Sequence, residues 1–286
     1  MKLAFTHLDK VYFPQGKITK GDLIEYYRFV AKRMLPFLKD RPLVIERYPS
    51  GIRSKGVYSK GFYQKNVQDY FPPWIKTIKV ERSEKGEGNL VNCDQLDTLL
   101  YLVNLGTVTF HTWLSKKSQL RKPDKLVFDL DPPQGKFDLA CEAALCLKDL
   151  LEGEYKLKTF LMTTGSKGLH VVIPIKPLLD FEEVRNFARE IAQMITDENP
   201  KLFTTNVRKT GRRGRVYIDV MRNAYAQHSV APYSVRPTKE ASIAMPISWK
   251  DLSSIHPKSF TLLNIHEMAL SNPWRTFFTS AKKIPR

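Results

Sequence analysis

At 286 residues, with 42 % hydrophobic residues and a mean hydropathy of −0.34, the chain holds enough apolar material for one large or two small globular domains. No run reaches the roughly 18 apolar residues of a membrane span, and the opening MKLAFTHLDKVYF lacks the long apolar stretch of a secretory signal, so a cytoplasmic protein is expected. Three cysteines without a CxxC pair give no disulfide scaffold and no thiol-rich zinc site, whereas 46 Lys+Arg against 29 Asp+Glu give a net charge of +17, which favours a polyanionic partner, nucleic acid before membrane.

Residues 7–17 read as a turn-rich element, after which a helix begins past Thr19 and runs to about Asp40. Leu23, Ile24, Tyr27, Val30, Ala31, Met34, Leu35 and Leu38 recur there at helical spacing. Lys10 and Lys20 flank the start of this helix. A lysine near a helix N-terminus is electrostatically misplaced unless an anion offsets it; plain solvation is the alternative. Residues 41–80 look like strands and turns. Arg47, Arg53, Lys55, Lys60 and Lys65 are interleaved there with Tyr48, Tyr58, Phe62 and Tyr63. Cations for phosphates and rings for bases suit single strands or exposed nucleic-acid ends, while a half-buried hairpin with core aromatics accounts for the same pattern.

Residues 81–89, ERSEKGEGN, read as a polar loop. A helix with Leu96, Leu99, Leu100 and Val103 on one side closes at Gly106, and the strand TVTFHTW follows, with His111 on the same face as Thr107, Thr109 and Trp113. A lone strand histidine is commonly a hydrogen-bonded core group.

The most informative stretch is KLVFDLDPP, residues 125–133. Alternation puts Val127, Asp129 and Asp131 on one face of a strand, and Pro132-Pro133 ends it because proline cannot donate to the ladder. Two close carboxylates at the end of an apolar strand suit a hard divalent cation, and an unpaired carboxylate there would be costly. A helix over residues 139–151 follows. Next comes strand, turn and strand through KTFLMTTGSKGLHVVIPI, where Thr163–Gly168 offer backbone N–H groups, hydroxyls and Lys167 to a phosphate chain, or make a plain glycine hairpin. Residues 180–198 form another amphipathic helix. From Lys201 to Ile218 there is no acid, so the basic loop there should be mobile until it meets an anion. The strand RVYIDVM then supplies Asp219, available to the same metal site if the two strands are neighbours. No internal repeat and no linker between independent domains is visible, and the chain is read as a single domain over residues 1–286.

The stretches DKVYFP, RPLVIERYP, FYQKN, FHTW, FDLDPP, GSKGLHV, DVMRN and APYSVRP lie in one order across nearly the whole chain. In that order they resemble the polymerase domain of ATP-dependent DNA ligase D, a member of the archaeo-eukaryotic primase superfamily serving bacterial-type non-homologous end joining. The resemblance implies that Asp129, Asp131 and Asp219 hold two Mn²⁺ or Mg²⁺ ions for nucleotidyl transfer. It places His111, Thr164, Ser166, Lys167, Arg222 and Arg236 around an incoming NTP or dNTP, with ribonucleotides accepted. Lys10 and Lys20 would grip a downstream 5′-phosphate, Phe62, Tyr63 and Lys65 would meet the template, and Arg212 lies in a basic loop, 207–214, that aligns DNA ends together with the loop at 82–89. Three positions depart from the family pattern: His7 replaces a frequent asparagine, Thr164 the usual serine, and Tyr63 a common second phenylalanine.

The implied fold is α/β of the primase type, a central, mainly antiparallel sheet with a second smaller sheet and flanking helices. The implied activity is template-dependent gap filling and 3′-end extension on DNA ends or gapped DNA, working in the nucleoid with a separate DNA ligase and a Ku-like end-binding protein. A replicative primase catalytic subunit shares the metal acids but not the phosphate lysines. A haloacid dehalogenase-type phosphatase also carries DxD, yet usually near the N-terminus and followed by Gly-Thr or Gly-Val, where this chain has Pro132-Pro133.

Overall fold

A computed structural model describes residues 3–54, 57–58, 60–82, 86–266 and 271–285. The chain divides into two compact units interleaved in sequence, Met1–Trp113 with Val230–Ala244 and Phe260–Leu270, and Leu114–Ser229 with Met245–Ser259 and Ser271–Arg286.

In the first unit, helix α1 (Lys20–Leu38) starts where the sequence places it. The Thr19 hydroxyl accepts the Asp22 backbone N–H and the Asp22 carboxylate accepts the Thr19 N–H, a capping box that satisfies two otherwise orphaned donors. Leu23, Ile24, Tyr27, Val30, Met34 and Leu38 are buried along one stripe. Such side chains contribute about 1.5–3 kcal/mol each on full burial. Tyr27 also donates its hydroxyl to the Val108 carbonyl at 2.6 Å, tying the helix to the strand Thr107–Trp113. Helix α2 (Leu96–Asn104) packs against α1. Gly106, at φ +90°, turns the chain from α2 into that strand.

The strand Leu43–Arg47 pairs antiparallel with Thr107–Trp113 on one side and Phe62–Gln64 on the other. Residues 86–89 are not loop. Thr77–Arg82 and Gly86–Val91 form an antiparallel ribbon in which Ile78 pairs Leu90 and Lys79 pairs Asn89, and the Lys79–Glu87 ion pair closes it at 2.7 Å. Ile78, Val80, Gly88 and Leu90 are buried on one face of this ribbon, while Glu87 and Asn89 are exposed on the other. Residues 83–85 of the expected loop lie outside the described residues.

The second unit is built on a six-stranded sheet in the order Phe203–Thr204, Val216–Asp219, Lys125–Asp131, Leu169–Pro174, Phe160–Thr163, Pro246–Ile247. Every pair is antiparallel except the first, which is parallel. Helices α3 (Phe137–Gly153) and α4 (Phe181–Glu198) pack against it. Asp180 caps α4 by accepting the Glu182 and Glu183 N–H groups at 2.8 and 2.9 Å. The central strand Lys125–Asp131 stops at Asp131, before Pro132-Pro133. Leu126, Phe128 and Leu130 are fully buried on the face opposite the acids. The basic run makes one short helix, α5 (Lys209–Arg212), followed by left-handed Arg213 and Gly214.

Candidate active site

Neighbouring strands bring the three acids together. Asp129 is the direct cross-strand partner of Asp219 on one side and of His170 on the other, and Asp131 is paired with Tyr217. Directly paired residues share a face, so Asp129, Asp131, Asp219, His170 and Tyr217 all rise from one side of the sheet. Asp129 is buried, with His170 Nε2 3.4 Å from one carboxylate oxygen and Arg222 Nε 3.4 Å from the other. Burial alone would push its carboxyl up, but His170 and Arg222 outweigh burial and hold it below the ordinary carboxylate range. Asp131 goes the other way. Burial and the Asp129 charge raise it, Asp219 adds to this, and Arg212 and Lys167 offset only part. Asp219 accepts the Met221 N–H at 2.7 Å and the Tyr217 hydroxyl at 3.3 Å, and the Tyr217 phenol is pushed up to about 12 by its burial and by that carboxylate.

Among the described residues, no three His, Cys, Asp or Glu side chains are gathered into a closed metal cage. The donor set nevertheless fits a hard divalent cation. Three carboxylates share one face, two of them turn to guanidinium groups, at 3.4 Å for Asp129 and 3.7 Å for Asp131, and the third charge in the row raises Asp131. The arginines stand where positive charge is needed.

Two features fix the end of the acid-bearing strand. Gly168 packs so tightly on it that a Cβ would collide with the Leu130 carbonyl oxygen, which is why the turn after Thr163 needs glycine there. Within this turn the Thr164 hydroxyl donates to the Gly168 carbonyl at 3.1 Å and accepts the Ser166 and Gly168 N–H groups at 3.3 Å, so it shapes the turn from inside. Ser166 is half-buried and Lys167 is exposed. On the other side Asn223 imitates a strand. It accepts the Val127 N–H at 2.9 Å and donates to the Val127 carbonyl at 2.7 Å, clamping the chain two residues before Asp129 and setting the short turn that carries Arg222. Arg212 leaves α5 with its guanidinium 3.9 Å over the Tyr217 ring and directed at Asp131.

The remaining residues singled out in the sequence lie in the first unit. Lys20 is only 4 % exposed and donates to the Thr6 carbonyl at 2.6 Å, while exposed Lys10 donates to the Pro49 carbonyl at 2.7 Å. Burial and the charge of Lys10 both push the Lys20 ammonium down, which places the two cations within each other's field. Phe62 and Tyr63 alternate faces as adjacent strand residues must, and on this short outer strand both stay open, at 47 % and 53 % exposure. Beneath Phe62 lies the Arg47 guanidinium, 5.4 Å from the ring centre and hydrogen-bonded to Gln64, Tyr70 and the Leu105 carbonyl. Arg47, Phe62, Tyr63, Gln64, Lys65 and Tyr70 line an open cavity of about 690 Å³. His111 is buried, with Nε2 4.0 Å from a carboxylate oxygen of Glu46, and half-buried Arg236 lowers the Glu46 carboxyl through its charge; sequence reasoning passed Glu46 over.

His170 and Asn223 were also not singled out. The alternation of LHVVIPI fixes the face of His170, but only the strand pairing shows that this face meets Asp129.

A mainly antiparallel sheet that aligns three carboxylates beside a glycine turn with a hydroxyl and a lysine describes a polymerase-type nucleotidyltransferase. The family profile described as "LigD, primase-polymerase domain" matches residues 19–274. The chain belongs to that family. It is 36 % identical over 265 residues to "Bifunctional non-homologous end joining protein LigD" of Bacillus subtilis, covering 91 % of this chain and 41 % of the relative. It is 28 % identical over 288 residues to "Multifunctional non-homologous end joining protein LigD" of Pseudomonas aeruginosa, covering 99 % and 34 %. The chain thus spans well under half the length of these relatives. Among solved structures it is similar to "Polymerase Domain from Mycobacterium tuberculosis Ligase D in complex with DNA", with a TM-score of 0.88, 26 % identity, and coverage of 98 % of this chain and 99 % of that one.

Proposed function

We propose that this polymerase fills gaps and extends 3′ ends at DNA double-strand breaks during non-homologous end joining, with NTPs or dNTPs as substrates. A separate DNA ligase and a Ku-like end-binding protein would complete the reaction, in the cytoplasm at the nucleoid. Among the described residues, no helix is long and apolar enough to cross a membrane. The observation that carries the reading is the shared face of Asp129, Asp131 and Asp219.

Asp129, Asp131 and Asp219 would hold two Mn²⁺ or Mg²⁺ ions. When bound, such ions supply charge to steady a triphosphate and lower the pKa of a primer 3′-hydroxyl. The protein's own groups supply orientation. His170 and Arg222 fix the Asp129 carboxylate in one rotamer, Asn223 fixes the strand beneath it, and the turn at Thr164–Gly168 presents Ser166 and Lys167 for phosphate oxygens. In the first unit, His111 and Arg236 are assigned to the nucleotide, Lys10 and Lys20 to the downstream 5′-phosphate, and Phe62, Tyr63 and Lys65 to the template, with Arg47 bracing the Phe62 ring. Arg212 and the short basic helix are assigned to the DNA end.

A labelled primer–template incubated with single nucleotides and Mn²⁺ tests the reading. Template-directed addition is expected, with ATP accepted in competition with dATP opposite template T. Absence of addition overturns the polymerase assignment, and strong exclusion of ATP overturns the ribonucleotide assignment. A non-catalytic end-binding module would bind the DNA and add nothing.

A further inference from the structure

We propose that Glu46 is a positioning residue for the incoming nucleoside triphosphate, its buried carboxylate orienting the His111 imidazole and supplying the counter-charge for Arg236. The inference rests on the assignment of His111 and Arg236 to the nucleotide, and all three residues belong to the first unit.

Glu46 lies inside the strand Leu43–Arg47, where its neighbours Val44 and Ile45 are apolar and buried. It is directly paired with Thr109 on one side and Tyr63 on the other. Paired residues share a face, and His111 lies two residues beyond Thr109, so Glu46, Tyr63, Thr109 and His111 are on the same face of the sheet. Glu46 is 8 % exposed, a depth at which an unpartnered carboxylate would be protonated or destabilising. It has partners. The Tyr48 hydroxyl donates to one carboxylate oxygen at 2.7 Å, and His111 Nε2 stands 4.0 Å from the other. Burial would push the Glu46 carboxyl up, but His111, Tyr48 and the field of Arg236 outweigh it, so the carboxylate is ionised.

The imidazole is held from a second side as well. The Tyr63 ring meets it edge-on, with centroids 5.6 Å apart and an interplanar angle of 60°. Glu46 and Tyr63 thus fix the plane of a side chain that has only two torsions. A carboxylate beside Nε2 favours a proton on that nitrogen and stabilises the protonated ring. Protonation of the ring in the field of the Arg236 guanidinium, with Glu46 as counter-charge, would leave net positive charge, which suits the anionic triphosphate. Gly61 permits the arrangement: a Cβ there would run into the Tyr48 ring and push the hydroxyl away from Glu46.

The groups around His111 that bear charge or titrate are Glu46, Tyr48, Tyr63 and Arg236. Among these groups Glu46 is the carboxylate, and its charge favours the protonated imidazole.

The test is Glu46→Gln in the full chain, which keeps the side-chain shape and still accepts the Tyr48 hydrogen bond. The nucleotide KM is expected to rise about tenfold, the size of one lost charge-assisted contact. The kcat should stay within about twofold and the primer–template affinity should be unchanged. In the protein without nucleotide or DNA, the His111 Cε1–H resonance followed by NMR should titrate at lower pH in the variant than in wild type. Glu46→Asp, which keeps the charge but draws it back, should fall between the two in both readouts, and it decides the matter if Glu46→Gln does not fold. Unchanged nucleotide KM and unchanged His111 titration in the folded variant overturn the inference. His111→Ala separates it from the reading beneath it. If that variant binds nucleotide as wild type does, the assignment of His111 fails; if His111→Ala raises KM and Glu46→Gln does not, only the role of Glu46 fails.

Discussion

Asp129 and Asp219 are direct cross-strand partners, although ninety residues of chain separate them, and Asp131 follows Asp129 on the same face. A strand pair holds such partners about 4.5–5.5 Å apart at Cβ, too close for ionised carboxylates to rest without positive charge between or beside them. His170, Arg222 and Arg212 provide that charge from the protein.

Removing one acid should therefore end catalysis without dismantling the basic surface. Asp129→Ala or Asp131→Ala is expected to lower primer extension by at least about a thousandfold, the equivalent of roughly 4 kcal/mol of barrier. DNA affinity, measured by fluorescence anisotropy, should be retained, because the basic groups proposed to meet phosphates are left in place. Extension above about a tenth of wild type in either variant would overturn the metal assignment.

Asp131 also carries a stability signature. Its carboxyl is raised by burial and by Asp129 and Asp219, so the ionised form is disfavoured in the folded chain. Near neutral pH that strain opposes folding; below the ordinary carboxylate range Asp131 is protonated in both states and the strain is gone. Asp131→Asn should consequently melt slightly higher than wild type at pH 7, by on the order of 1 °C after screening of this part-exposed group, and the gap should close as pH falls toward 3. Mn²⁺ should raise the melting temperature of wild type and not that of the variant.

The alternation of KLVFDLD and the proline stop made the acid-bearing strand legible, and helices α1, α3 and α4 followed from composition and apolar period. The colinear stretches made the family legible. What one strand cannot announce is its neighbour. His170 becomes a partner of Asp129 only through cross-strand register, and Glu46 acquires meaning only beside His111 on the next strand. Asn223 was hidden for a related reason, since its side chain performs a backbone's task. The strand Gly86–Val91 was obscured by composition: GEGN is poor strand sequence, and it is held in place by Val80 opposite Gly88 and Ile78 opposite Leu90.

Gly168 and Asn223 should both act on the acids from a distance. Gly168→Ala forces a Cβ against the Leu130 carbonyl, so the strand end must shift and extension should fall at least about tenfold, since displacements near 1 Å are costly at a reacting centre. Asn223→Ala leaves the Val127 N–H and carbonyl without their buried partner. A loss of about 1–3 kcal/mol per unsatisfied group is expected in urea denaturation, together with lower activity. Wild-type extension by Gly168→Ala would show that the turn is not built onto the acid strand.

The 5′-phosphate role proposed for Lys10 and Lys20 would distinguish a break-repair polymerase from a general primase, and their geometry gives it a test. Lys20 is buried at the first position of α1, its ammonium held by the Thr6 carbonyl and pushed down by burial and by Lys10. Such a cation is stabilised by an anion, and a terminal phosphate dianion would supply one at the positive end of the helix. Each well-formed charge-assisted contact is worth about 1.5–3 kcal/mol, and after exchange of the present contacts to the Pro49 and Thr6 carbonyls the pair should favour gapped DNA with a downstream 5′-phosphate over the 5′-hydroxyl form by roughly one to three orders of magnitude, less at high salt. The pH response follows in sign. The preference should grow above about pH 6 as the phosphate gains its second charge, and fade at alkaline pH sooner than an ordinary lysine would allow, because Lys20 gives up its proton early. The Lys10→Ala/Lys20→Ala double variant should lose the preference while still extending a simple primer–template. Equal affinity of the wild-type protein for the two gapped substrates at moderate salt would reduce these lysines to solvated surface and leave the end-joining role without its phosphate site.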